Sequence, residues 1–167
     1  MKYLGAGLLW TSLICVGATY SINLKKRINL LENTVLMIEE MKIQLSYLNL
    51  PIYDILKTMK DKDYLKILSF IGASYHLMES GYDFNIAWQM AIEDTRLQYK
   101  REEKERLLHL GMNLGVSDTD NQLCILNLDK EYFLEYISKA KLKDKKYGNL
   151  TMSLGVLSGC MIFVLLL

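Results

Sequence analysis

The stretch Asn23–Pro51, NLKKRINLLENTVLMIEEMKIQLSYLNLP, decides the fold class. From Leu24 its apolar residues step by four and three through Ile28, Leu31, Val35 and Ile38; Lys42 breaks the step and Leu45 resumes it. This is a heptad seam, because positions three and four apart share one face of a helix. A second apolar line, Leu30, Met37, Met41 and Leu48, widens the stripe. Asn49-Leu50-Pro51 stops the helix, since a residue before proline is pushed out of helical geometry. Pro51 is the only proline, and no run alternates apolar and polar residues for long enough to make a strand. The sequence therefore predicts an all-α fold, a bundle of about six helices.

A mirror element lies toward the other end. Leu123, Leu126, Phe133, Ile137 and Ala140 keep similar spacing, with Lys130 as the break. Ser117 with Asp120 three residues on resembles an N-cap followed by an acidic first turn, so a helix is expected from about Asp118 onward. Shorter helices fall between. Pro51 suits a first helical position and opens Ile52–Lys60. Tyr64–Glu79 follows, with Gly81 as its C-terminal stop. Next comes Phe84–Tyr99, capped by Asp83 or Asn85, and then the highly charged Lys100–Leu114, with Gly115 as its stop. A single continuous helix over Phe84–Leu114 is the alternative.

Both ends of the chain are apolar and uncharged, over residues 3–22 and 148–167. Crossing about 30 Å of hydrocarbon as a helix takes about 20 residues, so each is expected to span a membrane. The chain then divides into a transmembrane helix at 3–22, a cytoplasmic helical domain at 23–147 and a transmembrane helix at 148–167. A cleaved signal peptide is the competing reading of the first segment, with Lys2 as its basic region and Val16-Gly17-Ala18 as its cleavage site. The length of the apolar run and the helical register that continues past Asn23 count against it. Lys25, Lys26 and Arg27 follow the first segment, and Lys139, Lys141, Lys143, Lys145 and Lys146 precede the second. Positive charge gathers on the cytoplasmic side, so the central domain is expected there. Two long helices that enter one bilayer from one side must run antiparallel. Ile28, Leu31, Val35 and Ile38 are then expected to pack against Leu126, Phe133 and Ile137 as a stalk. Thr151, Gly155 and Gly159, at four-residue intervals, would let the spans approach closely, with Gly7 and Thr11 opposite.

The sequence offers little chemistry. A formal net charge of +1 gives no reason to expect nucleic acid. No glycine cluster precedes a lysine and a hydroxyl residue, so there is no phosphate-binding loop. The two histidines, His76 and His109, have no ligand set at metal spacing, although Glu79 lies three residues after His76. Cys15, Cys124 and Cys160 form no disulfide framework; their odd, scattered placement suits a reducing compartment. Cys124 sits between Leu123 and Ile125, without the surroundings of an activated thiolate. No catalytic residue, cofactor or metal is expected. The run Lys100-Arg101-Glu102-Glu103-Lys104-Glu105-Arg106 reads first as a solvated helix face laced with ion pairs. Its sharper reading is a docking surface for a cytoplasmic partner, carried by Lys100, Arg101, Lys104 and Arg106. Eleven tyrosines are many for this length, and several fall in the compact middle.

Three stretches together resemble the stage III sporulation protein AB family of endospore-forming bacteria. They are NLKKRINLLENTVLMIEEMKIQLSYLNLPIYDIL, LHLGMNLGVSDTDNQLCIL and KKYGNLTMSLGVLSGCMIFVLLL. The most specific element holds Gly111, Leu114, Gly115, Asp118 and Gln122. The resemblance implies membership of a multiprotein complex linking mother cell and forespore. It also implies a soluble part similar to the cytoplasmic domains of the inner-membrane platform protein of type II secretion and type IV pilus machines. The expected function is a non-enzymatic platform in a secretion-like channel complex, in the mother-cell membrane. Expected partners are other proteins of that complex, a secretion-type ATPase among them, with a homo-oligomer also open. A membrane-anchored signalling or regulatory adaptor is the alternative.

Overall fold

The computed structural model describes the backbone of residues 2–48, 50–115 and 118–166, and the side chains of residues 19, 21–48, 50–115 and 118–146. It is all-α. The elements are α1 (Lys2–Leu48), α2 (Ile52–Lys60), a 3-10 turn (Asp63–Leu65), α3 (Ser69–Glu79), α4 (Phe84–Asp94), α5 (Arg101–Asn113) and α6 (Thr119–Leu166). No strand occurs among the described residues. Two compact units divide the chain, one of Met1–Ile28 with Ser138–Leu167 and one of Asn29–Ile137. Among the described residues no helix is long and apolar enough to cross a membrane. The apolar segments at 3–22 and 148–167, with Thr151, Gly155 and Gly159, lie outside the described side chains except at residues 19, 21 and 22.

The unit Asn29–Ile137 holds the core. Along α1 the buried positions in this unit are Leu30, Leu31, Asn33, Thr34, Met37, Ile38, Met41, Gln44 and Leu45, with Val35 half-buried at the margin. Three polar side chains, Asn33, Thr34 and Gln44, thus sit among the apolar ones. Thr34 fits because its hydroxyl lies 2.9 Å from the Leu30 carbonyl and 2.7 Å from the Tyr99 hydroxyl, so burial leaves it satisfied. On α6 the buried positions step through Gln122, Leu126, Asp129, Phe133 and Ile137. The centre of that face is therefore Asp129 and not Lys130. Lys130 instead pairs with Glu39 of α1, and the Lys42 ammonium donates to Asn127 Oδ1 at 2.7 Å. Rising numbers on α1 meet falling numbers on α6, so within this unit the two helices run antiparallel. Ile28, in the other unit, is half-buried.

The short helices correct the sequence reading in three places. Pro51 takes the N-cap, with ψ 151°, and the first helical position falls to Ile52. The helix expected over Tyr64–Glu79 divides into the 3-10 turn and α3. The turn is tied to α1 through Glu40, which pairs with Lys62 and accepts from Tyr64 at 3.0 Å and from Gln44 at 2.8 Å. Burial alone would raise the Glu40 carboxyl, but these three donors hold it below the ordinary carboxylate range. The helix from Phe84 ends at Asp94, short of Tyr99, because residues 95–100 leave the helical path. Tyr99 anchors that link, its hydroxyl on Thr34 and its ring 6.4 Å from Phe70. Asp83 occupies the α4 N-cap position without a side-chain cap bond. Gly81 stops α3 as expected: at φ 95° its N–H reaches Met78 O (3.0 Å) while the Tyr82 N–H reaches Leu77 O (3.2 Å), the two bonds of a Schellman turn.

Successive helices α2 to α5 pack on one another, and Trp88 lies at the centre of them. Phe70 of α3 meets its ring edge-on at 5.3 Å, and Phe84 lies 5.6 Å away. The indole N–H donates to Leu107 O of α5 at 2.8 Å. Such an approach requires Gly111 one turn on: an added Cβ there would fall 2.0 Å from Trp88 Cδ1. Gly111→Ala is therefore expected to lower the unfolding free energy by about 2 kcal/mol or more. Gly72→Ala, inside α3 and with nothing within 4 Å of the new Cβ, should raise it by about 0.5–1 kcal/mol. Thermal unfolding followed by circular dichroism checks the pair; equal midpoints for both variants would contradict this packing.

Candidate docking site

The four cations of the charged run do not form one surface. A helix turns 100° per residue, so neighbours in sequence face different ways. Lys100, at the α5 N-cap, and Arg101 are exposed. Arg101 Nε bonds Glu105 Oε1 at 2.7 Å, a solvent-exposed pair four residues apart. The Lys104 ammonium donates to Glu93 O at 3.1 Å, in the last turn of α4, where unsatisfied carbonyls favour a cation. Arg106 turns toward α6: its guanidinium lies 3.5 Å from the Tyr132 ring centroid and its Nη1 3.4 Å from Asp129 Oδ1. Glu103 is buried beneath them and accepts the Lys100 backbone N–H at 2.7 Å, which fixes the start of the helix. Only Lys100 and Arg101 of the expected docking set are fully outward. Arg106, given a docking role by the sequence reading, is committed to the α5–α6 interface.

A groove that the sequence reading missed lies at the end of this unit opposite Asn29 and Ile137. It measures about 830 Å³ and is open to solvent. Three corners of the chain build it: the passage from α1 to α2, the α3–α4 turn and the α5–α6 turn. Leu45, Ile52, Met78, Phe84, Ile86 and Leu114 give it an apolar lining. Gly115, at φ 80°, shapes one wall, with its N–H on Gln122 Oε1 at 3.2 Å. Asp83 is the one ionised side chain in the lining, and Asp54 and Asp118 flank the lining residues Tyr53 and Thr119. A signal was present in the sequence, in the form of an omission. The stretches 43–56, 67–95 and 107–129, from which the lining is drawn, contain no lysine or arginine.

Histidine and cysteine offer no converging chemistry. His76 Nδ1 lies 3.0 Å from Glu79 Oε2, and Asn113 lies beside His109. Cys124 is exposed. Among the described residues no three His, Cys, Asp or Glu side chains are placed to hold a metal ion. Tyr75 donates to Glu79 at 2.9 Å and sits 3.1 Å from the Tyr53 hydroxyl, which clasps α2 to α3.

The one strongly perturbed carboxylate is Asp129. Its side chain is fully buried, and neither oxygen has a hydrogen-bond partner. Burial pushes its pKa up to about 6; the nearby Arg106 and His109 pull it down and do not win. A folded-state pKa above the unfolded one means that the native state holds the proton longer. Stability is then lost as pH rises from the ordinary aspartate value of 3.8 through about 6. Asp129→Asn is expected to match the parent near pH 3, below the unfolded value, and to exceed it above pH 7 by on the order of 2–3 kcal/mol. Denaturant unfolding at the two pH values measures this, and an equal effect at both would show that ionisation is not the cause.

Neither a curated protein nor a solved structure matches the chain. A family model does, across residues 2–167, and the stretch that carries Gly111, Gly115 and Gln122 lies inside it. By that match the chain belongs to the stage III sporulation protein AB family.

Proposed function

We propose that this chain is a non-enzymatic membrane platform of a sporulation-specific, secretion-like complex between mother cell and forespore. In this reading the segments 3–22 and 148–167 cross the mother-cell membrane. The helical domain is cytoplasmic and recruits a partner, a secretion-type ATPase, as the resemblance to platform proteins implies. The observation that carries the reading is the antiparallel pairing of α1 and α6, Glu39 with Lys130 and Lys42 with Asn127. It brings Asn29 and Ile137, where the chain enters and leaves this unit, to one end. In sequence, basic clusters flank this unit on both sides, Lys25-Lys26-Arg27 before it and Lys139–Lys146 after it, and the apolar segments lie beyond them. Positive charge beside both segments favours a cytoplasmic domain. Membership of the sporulation family supports the cellular setting.

Cys124, exposed on α6, is a built-in reporter of orientation. With Cys15 and Cys160 replaced by serine, a membrane-impermeant maleimide is expected to leave Cys124 unlabelled in intact sporulating cells and to label it after permeabilisation. Labelling in intact cells would place the domain outside and remove the platform reading.

The charged run gives a second test. Lys100→Glu with Arg101→Glu should leave the fold intact, since acidic residues at a helix start are favourable. Charge at the rim of an interface sets association rate and salt dependence. Partner recovery from membranes should therefore fall and become less sensitive to salt. Unchanged recovery and normal sporulation would reduce this face to a solvated surface.

A further inference from the structure

We propose that the groove at the end opposite Asn29 and Ile137 holds a cationic, amphipathic segment of a partner protein. An apolar run would fill the groove, with lysine or arginine on its flanks. The inference rests on the platform reading and names the chemistry of what the platform grips. Shape is the first support. A cavity of about 830 Å³ exceeds what one side chain needs, and its lining sets apolar side chains beside nearly as much polar surface, from Asp83, Asn85, Thr119 and Gln122 among others. Ile86 is half exposed there and Met90 is exposed on the same helix, while Ala87, Trp88, Ala91 and Ile92 face inward. An unfilled apolar groove between helix ends suits a segment that presents a row of anchors.

Charge is the second support, and it selects the occupant. All of the Lys and Arg of the domain lie outside the three stretches that build the groove. Every formal charge inside those stretches is negative: Asp54, Glu79, Asp83, Glu93, Asp94, Asp118, Asp120 and Asp129. Asp129 is buried on α6 and does not count toward the surface, and Glu79 already accepts from Tyr75. Of the rest, Asp83 lines the groove, and the exposed Asp118 and Asp120 stand on either side of the lining residue Thr119 in sequence. The cations closest in sequence to lining residues are Lys42, three before Leu45, and Lys57, four after Tyr53; the Lys42 ammonium is engaged by Asn127, and farther along α2 the Lys60 ammonium is held over the Tyr75 ring at 5.0 Å. A groove that carries an aspartate and no cation repels acidic competitors and steers basic ones, because like charge across an interface is repulsive.

Photocrosslinking from within the groove tests this. The full chain carries p-benzoylphenylalanine at Ile86 in sporulating cells, with Leu36, exposed on α1 outside the groove, as the control position. Cross-linked peptides are sequenced by mass spectrometry. Position 86 should capture a segment of another protein that is apolar and flanked by lysine or arginine, and position 36 should not capture it. Asp83→Lys with Asp118→Lys should cut the yield about five- to tenfold, and Asp83→Asn with Asp118→Asn should fall between. Circular dichroism of the purified variants confirms that the fold is kept. Capture of an acidic or uncharged segment overturns the proposal. So does capture of a second copy of this chain, through Lys25–Arg27 or Lys139–Lys146 for example. Unchanged yield in the reversed variant, or no capture at position 86, overturns it as well. Recovery of cytoplasmic partners from the same membranes separates the two readings. Partners recovered without a groove cross-link sink the groove alone, whereas none recovered sinks the platform as well.

Discussion

The indole of Trp88 laid against Gly111 is the contact on which the helical domain turns. It sets how closely α4 approaches α5, because a side chain at position 111 would occupy the space the ring fills. The bond from Nε1 to Leu107 O satisfies the only polar atom of a fully buried ring and fixes its orientation. Phe70 and Phe84 then pack on the remaining faces, which brings α3 into the same cluster. The hydrophobic effect supplies the drive, but glycine at one position supplies the geometry. From there α5 carries Arg106 to the Asp129 side of α6. The α5–α6 turn at Gly115 follows from the same placement and closes one wall of the groove.

Charge is sorted within this domain in a way that bears on its role in the sporulation family. Ion pairs such as Glu39–Lys130 and Glu40–Lys62 lie on α1, where they join elements together. Both pairs are half-buried, and ion pairs near a surface contribute modestly to stability. The opposite end carries Asp83 in a groove whose lining holds no cation. Within this unit the antiparallel pairing of α1 and α6 gathers Asn29 and Ile137 at one end and leaves the groove at the other.

Much of the fold was legible in sequence, and the exceptions share a cause. The stripe on α1 was readable because Leu31, Ile38 and Leu45 repeat at helical spacing. Thr34 and Gln44 were passed over since a period count does not credit polar residues, although both are buried. The same blindness put Lys130 where Asp129 belongs. The two helix breaks, before Ser69 and after Asp94, come from tertiary contacts of Tyr64 and Tyr99 with α1, and no local signal announces them. Residues 95–100 contain neither glycine nor proline. For the docking set, the sequence reading grouped Lys100, Arg101, Lys104 and Arg106 as one surface, and only the position of α6 shows that Arg106 turns to Asp129 and Tyr132. The groove was invisible because it is assembled from three distant corners. Its one sequence trace, the missing cations, has meaning only once those corners are known to meet.

The same omission gives this end of the molecule an unusual chemical privacy. Trypsin-like proteases have no cleavage site within 43–56, 67–95 or 107–129, whether the chain is folded or not. Enzymes that acetylate lysine, or that attach other proteins to it, find no acceptor there either. Amine-directed control in a sporulating cell can act on α2, on the link after α4 or beside the two apolar segments. Within those stretches the groups left to address are hydroxyls such as those of Tyr53 and Thr119, carboxylates, the thiol of the exposed Cys124 and the imidazoles of His76 and His109.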